Sequence, residues 1–354
     1  MKSLPCNRKR CALCRRHLLQ WPRRRTTSTR SATISRWHVG GMSIARAPMP
    51  HNKAVILGAS GFIGVNLAHA LVRQGHQVVC FARTASPDWP PEAEQVIGEF
   101  ADLPPQLLAH LAQAVVYHLI ASGRPSPNTA GAAQEAIDDI GTTLRYFEYC
   151  RERAVRWVFV SSGGTVYGHT SEDMLAELAP NHPICSYGVV KLAIEQYLAL
   201  YRRLHGTDYV VVRLANPYGA WQRPLTGQGL VATLLYKVLK GDSIEVWGNG
   251  ENVRDYIYID DAVDGLLAAA SHGESGETYN LGTGVGTSIN QLIGLIKQTL
   301  GVDVAVRHTP ARAVDVERNV LQAEKLAAVS GWQPQTGLVD GLLRTATWIK
   351  SHVL

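Results

Sequence analysis

No uncharged apolar run among the 354 residues approaches the roughly 18–20 positions that a bilayer-crossing helix requires. Cysteine is scarce: there are six, and three of them fall within the first 14 positions. Cys80, Cys150 and Cys185 stand far apart in periodic segments, so they read as small buried hydrophobes of a reducing compartment and not as a disulfide framework. Acidic side chains are missing altogether from the first 50 residues, which carry 12 Lys or Arg. The rest of the chain therefore holds 23 basic residues against 29 acidic ones. A net charge of −6 on that part argues against nucleic acid and membrane surfaces as partners, and the whole-chain value of +6 belongs to the tail. With 46% hydrophobic and only 18% charged positions, most of the length cannot be disordered and supports one large domain or two smaller ones.

Residues 1–50 read as a separate object. Arg8-Lys9-Arg10 and Arg23-Arg24-Arg25 alternate with Ser, Thr and Pro, and no helical or strand period persists. The 7–15-residue apolar core of a secretory signal is missing, although the Arg-rich, Ser-rich composition resembles an organelle transit peptide. Cys6, Cys11, Cys14 and His17 are zinc-ligand types without a finger spacing. The reading favoured is a disordered basic extension, or an upstream start ahead of a true one at Met42 or Met49. The folded part then belongs in the cytoplasm.

From Lys53 the pattern sharpens. Ala54-Val55-Ile56-Leu57 is a short apolar run, as expected of a strand covered on both faces. Gly58-Ala59-Ser60-Gly61-Phe62-Ile63-Gly64 follows, a helical period leads out of it to Gly75, and Val78-Val79-Cys80-Phe81 is the next strand. Strand, glycine turn, helix and strand within some 30 residues is the context that gives a glycine motif its meaning. Gly58 permits a tight turn, Gly61 admits a pyrophosphate to the backbone, and Gly64 lets the helix pack close, with its N-terminus toward the phosphate charge. An acidic residue at the end of the second strand would accept from the 2′-hydroxyl of NAD. Ala82 and Arg83 stand there instead, which suits the 2′-phosphate of NADP.

Further units follow: a strand at 95–98 leading to Asp102, placed to meet adenine, and the buried strand Ala114–Leu119 ending at Ala121-Ser122-Gly123. A long amphipathic helix covers about 130–153, and another strand spans 156–160. Such alternation predicts an α/β fold, a Rossmann-type doubly wound parallel sheet over 51–180 continued by 181–215. A smaller C-terminal α/β substrate-binding domain over 216–354 completes it, the chain crossing between the two.

Ser161-Ser162-Gly163-Gly164-Thr165-Val166-Tyr167-Gly168 sits at the end of that last strand, and Ser186-Tyr187-Gly188-Val189-Val190-Lys191 opens a helix some 20 residues later. Tyr187 and Lys191, four apart, share one helical face. An ammonium there, with a cationic nicotinamide, would draw the phenol down from its usual value of about 10 and make Tyr187 a general base.

These residues together resemble the extended short-chain dehydrogenase/reductase family, in its nucleotide-sugar epimerase branch typified by UDP-glucose 4-epimerase. The likeness runs from Lys53 to Trp348, through the turn at 58–64, the 161–168 segment, Tyr187 with Lys191, Arg213–Gly219, Trp247–Tyr258, Tyr279–Gly284 and Arg312–Asp315. It implies a retained NAD or NADP held by Gly58, Ser60, Gly61, Phe62, Ile63, Gly64, Arg83, Asp102, Leu119, Ala121, Tyr187 and Lys191. It implies catalysis by Tyr187 and Lys191 with Ser162 or Thr165. A nucleotide-sugar diphosphate would meet Asn216, Arg254, Arg312, Asp315 and Tyr279. Apart from the resemblance, Arg213, Arg254 and Arg312 on separate loops of an acidic domain read as a clamp for one diphosphate, with an ordinary salt bridge the alternative for Arg213. No metal is called for, and a homodimer through the helices at 130–153 and 187–205 is implied.

Two departures stand out. The family's Ser or Thr four residues before the Tyr of Val-Tyr-Gly is Gly163 here, and its Asn three residues before Gly-Thr is Asp138. Sugar 4,6-dehydratases carry Asp-Glu before Val-Tyr, and decarboxylating relatives carry Glu. Gly164 and Thr165 offer no such carboxyl, which leaves epimerisation or ketone reduction. The leading expectation is a 4-epimerase of a UDP- or other NDP-hexose working through a transient 4-keto sugar. An NADPH-consuming reductase or epimerase-reductase, and a non-catalytic scaffold of the same fold, are the alternatives.

Overall fold

The buried runs become strands whose alternate side chains feed two separate cores. In β1 (Lys53–Leu57), Ala54 and Ile56 join one apolar cluster, whereas Val55 and Leu57 join the other. The computed structural model describes residues 51–125, 130–310 and 316–354, all within one compact unit, Ile44–Leu354. The transit, zinc and start-site readings of residues 1–50 lie outside the described residues.

After β1 come α1 (Phe62–Arg73), β2 (Gln77–Ala82), β3 (Glu94–Ile97), α2 (Pro105–Leu111), β4 (Ala114–His118), α3 (Ala132–Ala136), α4 (Thr142–Cys150), β5 (Val155–Ser162), α5 (Ser186–His205) and β6 (Asp208–Leu214). The second half contributes β7 (Asn216–Tyr218), α6 (Leu230–Lys240), β8 (Ile244–Trp247), β9 (Val253–Tyr258), α7 (Ile259–His272), β10 (Thr278–Leu281), β11 (Gly286–Ser288), α8 (Ile289–Leu300), β12 (Val306–Thr309), β13 (Arg318–Asn319), α9 (Glu324–Ser330) and α10 (Leu338–His352).

Seven strands form one parallel sheet in the order β10-β6-β5-β4-β1-β2-β3. Strands covered on both faces need no polar alternation, and β4 is buried at all five positions. Buried residues of α1 and α7 sit in the core on one face; those of α2, α4 and α5 sit in the other. The order reverses between β1 and β4, so the strand ends there open the crevice where doubly wound sheets take ligands. The expected Rossmann-type sheet is thus present.

In the second half β9 is the hub of a small sheet, pairing with β7, β11 and β13, while β8 and β12 pair separately. This half remains tied to the first: β10 lies beside β6 in the large sheet, and the Asn319 carboxamide donates to the Gly163 carbonyl at 2.9 Å.

Candidate active site

The glycine turn closes β1 as its spacing requires. Gly58 has φ +89°, and a Cβ on Gly64 would lie 2.6 Å from the Gly58 carbonyl oxygen, so helix and turn meet only because a side chain is missing. No side chain caps α1, which leaves the amides of its first turn directed at whatever fills the crevice. Ser60 and Gly61 are exposed, Phe62 and Ile63 half-buried. The turn after β4 packs against this one: a Cβ on Gly58 would meet Ile120 Cγ1 at 3.2 Å, and Leu119 donates to the Leu57 carbonyl at 3.0 Å. Leu119 and Ala121 are thereby brought beside the glycines. Arg83 and Asp102 are exposed at the far end of β2 and beyond β3. This cradle fits a dinucleotide: it offers uncapped amides for a pyrophosphate and close backbone approach at the switch point.

Tyr187 and Lys191 lie in the first two turns of α5. Gly188 lets that helix come close, since a Cβ there would be 2.9 Å from the Thr165 carbonyl oxygen. The Ser162 side chain stands beside the Tyr187 phenol and favours its ionised form. Lys191 is 2% exposed, and its ammonium donates to the carbonyls of Val160 at 3.0 Å and Ile120 at 3.3 Å. It stands 5.7 Å from the Tyr187 ring centre. Burial draws the Lys191 ammonium down to about 8, against the pull of Asp139 and Glu195.

The protein groups around the Tyr187 phenol act against the lowering expected of an ammonium and a cationic nicotinamide together. Burial pushes it above its usual range, Asp139, Cys185 and Glu135 push the same way, and only Ser162 opposes them. The largest cause is burial, which disfavours the charged phenolate. Thr165 does not join the cluster in the same way, because its hydroxyl is buried without a hydrogen-bond partner among the described residues.

Gly163 has a physical explanation. A Cβ at that position would lie 2.4 Å from Leu321 Cδ1 and 3.1 Å from the carbonyl oxygens of Arg213 and Leu214. Its amide donates to Leu214 at 2.8 Å, and Asn319 holds its carbonyl. Gly163→Ser should therefore lower stability by about 1–3 kcal/mol through overpacking, read as a lower urea midpoint, and Leu321→Ala in the same chain should return part of the loss.

Of the substrate residues, Asn216 reaches the site: its carboxamide donates to the Asp255 carbonyl at 3.0 Å, and its oxygen lies 3.8 Å from where a Gly164 Cβ would be. Arg254 is half-buried on β9 and donates to the Val253 carbonyl at 2.8 Å. Arg312 and Asp315 lie outside the described residues. Tyr279 is corrected: it is 1% exposed in β10, and its hydroxyl accepts the Glu274 amide at 2.8 Å, so it packs the core. Arg213 is corrected too. It sits on β6 and not on a loop, paired with Glu195 at 2.7 Å and donating to Asn181 at 3.0 Å and to the Glu177 carbonyl at 3.1 Å. It braces the fold and is not left for a diphosphate.

The sequence reading missed three acids beside Tyr187 and Lys191, namely Glu135, Asp139 and Glu195. Glu195 was readable as the residue one turn beyond Lys191 on the same face of α5. Among the described residues no group of His, Cys, Asp and Glu is arranged to hold a metal ion, and no helix is long and apolar enough to cross a membrane.

A glycine cradle at a topological switch point beside a buried Tyr–Lys pair is the arrangement of a dinucleotide-dependent enzyme. The model of the NAD dependent epimerase/dehydratase family matches residues 54–282, and the chain belongs to that family. It is 32% identical over 314 residues to a UDP-glucose 4-epimerase of Mycolicibacterium smegmatis, covering 84% of this chain and 99% of that one. Among solved structures it is similar to the UDP-glucose 4-epimerase of Thermotoga maritima with UDP-glucose (TM-score 0.80, 30% identity, 85% of this chain and all of that one). It is likewise similar to the Thermus thermophilus UDP-glucose 4-epimerase in complex with NAD (TM-score 0.78, 26% identity, 85% of this chain and all of that one).

Proposed function

We propose that this chain is a nucleotide-sugar epimerase that inverts C4 of a UDP-glucose-type hexose through a transient 4-keto sugar. The observation that carries this reading is the Ser162–Tyr187–Lys191 cluster at the mouth of the cradle, with no carboxyl at Gly164 or Thr165 to drive elimination. A nicotinamide dinucleotide supplies, when bound, the hydride acceptor and then the donor. Tyr187 takes the proton of the 4-hydroxyl, with Ser162 sharing it, and returns it after the sugar has turned. Lys191 fixes the strand that carries Ser162 and the turn that carries Ile120, and keeps a positive charge near the phenol. Asn216, Arg254, Arg312 and Asp315 are the residues proposed to hold the diphosphate about which the keto sugar rotates. The glycine turn, Leu119 and Ala121 are proposed to hold the dinucleotide, with Asp102 at its adenine end.

A second reading, a reductase or epimerase-reductase consuming NADPH, is favoured by one observation: Ala82 closes β2 and the exposed Arg83 follows it. A homodimer is also proposed, through α4 and α5, where Val189, Tyr197, Leu200 and Leu204 expose apolar surface along α5. The deciding experiment incubates the purified protein with UDP-glucose without added cofactor and identifies the dinucleotide released on denaturation. Formation of the C4 epimer with a retained dinucleotide is expected. Turnover only with a keto-sugar and stoichiometric NADPH oxidation would replace the epimerase reading by the reductase.

A further inference from the structure

The helical segment between residues 132 and 150 is interrupted. A π turn, Ile137–Gly141, separates α3 from α4 and adds a residue to that turn, which rotates the faces on either side of it. Asp138, the position where the family resemblance expects Asn, is half-buried and accepts from the Gln134 carboxamide at 2.7 Å. Asp139 is the acid turned inward, at 4% exposure. Its two oxygens accept the Ser122 amide at 2.9 and 3.0 Å. Lys191 grips the same turn from the other side, through the Ile120 carbonyl at 3.3 Å.

A neutral Asn could accept that amide bond, and a buried carboxylate costs more to desolvate. The charge therefore calls for a reason. Of the groups around the pocket, Glu195 is matched by Arg213 at 2.7 Å, and His118 is held neutral, its imidazole pushed down to about 3 by burial and by Lys191. Glu135 places one oxygen on the Ser186 hydroxyl at 2.8 Å, while the other is buried without a hydrogen-bond partner. Asp139 thus acts on both Lys191 and the Tyr187 phenol, and Glu135 acts on the phenol, so carboxylate charge that Arg213 does not match surrounds the place where the phenol stands.

We infer that Asp139 is a positioning residue that clamps the turn after β4 and whose charge makes this pocket favour the cationic, oxidised nicotinamide ring over the neutral, reduced one. The inference rests on the reading that a nicotinamide works beside Tyr187. Hydride transfer places that ring next to the carbon whose hydroxyl Tyr187 serves, and accepting a hydride removes the ring's positive charge. A fixed anion in a low-dielectric pocket therefore holds the resting state oxidised, as a catalyst without net redox change requires.

The test is the ratio of affinities for oxidised and reduced dinucleotide, measured by calorimetry and nicotinamide fluorescence on the full chain freed of cofactor. Asp139→Asn keeps an oxygen for the Ser122 amide and removes the charge. It should lower the oxidised-to-reduced ratio at least tenfold, about 30 mV for a two-electron couple. Asp139→Glu should retain the preference, and Asp138→Asn should leave it unchanged. Equal weakening of both forms in Asp139→Asn would reduce Asp139 to a clamp and overturn the electrostatic claim. Should that variant not fold, Glu135→Gln must shift the ratio in the same direction, and an unmoved ratio overturns the inference equally. A wild-type chain that binds neither form would instead remove the nicotinamide reading beneath it.

Discussion

Tyr187→Phe is expected to lower turnover of UDP-glucose by roughly a thousandfold while leaving the amount of retained dinucleotide unchanged. A positioned general base contributes about 10²–10⁴-fold, and the phenol is the group that Ser162 contacts at the mouth of the cradle. Phenylalanine keeps the ring that packs near Lys191, so binding and folding should survive. The phenol stands high in this structure because burial and three neighbouring acidic groups oppose its ionisation. Ionisation must therefore draw on charge brought by the ligands, and turnover should rise at a lower pH than the phenol with these protein neighbours alone would dictate. Product separation by stereochemistry, with dinucleotide measured after denaturation, reads both halves of the prediction. Full activity in Tyr187→Phe would discard the assignment.

Arg213→Ala should produce the largest loss of stability, about 3–5 kcal/mol, because it strands a carboxylate that is 95% buried. Glu195 would lose a contact at 2.7 Å and keep the Ser161 hydroxyl, which donates to it at 2.5 Å. A urea unfolding midpoint well below that of the parent checks the prediction. Pairing Arg213→Met with Glu195→Leu should recover part of the loss, since apolar residues of similar volume tolerate a site that a lone charge does not. A single Arg213→Ala variant as stable as the parent would mean that the pair contributes nothing net.

The large sheet was legible in the sequence because its central strands β1 and β4 are short apolar runs and its first turn is spelled by Gly58, Gly61 and Gly64. The pairing of Tyr187 with Lys191 was legible because four residues make one helical face. What escaped was set by contacts distant in the chain. Nothing near Gly163 announces that Leu321, 158 positions later, fills its side-chain space. Arg213 looked available for a phosphate because its partner Glu195 belongs to another element. The π turn was invisible to a reading at 3.6 residues per turn, and with it the inward turn of Asp139.

The return of β10 to the large sheet also governs how the polypeptide leaves the ribosome. β6 emerges long before the strand that will cover its outer edge, and roughly 60 residues must follow, several seconds of synthesis at about 5–20 residues per second. Throughout that interval the nascent sheet ends in open backbone donors and acceptors, the kind of edge that recruits stray strands. Any fragment cut at the end of β6 would keep that edge permanently, so the dinucleotide-binding half has no self-sufficient C-terminal boundary.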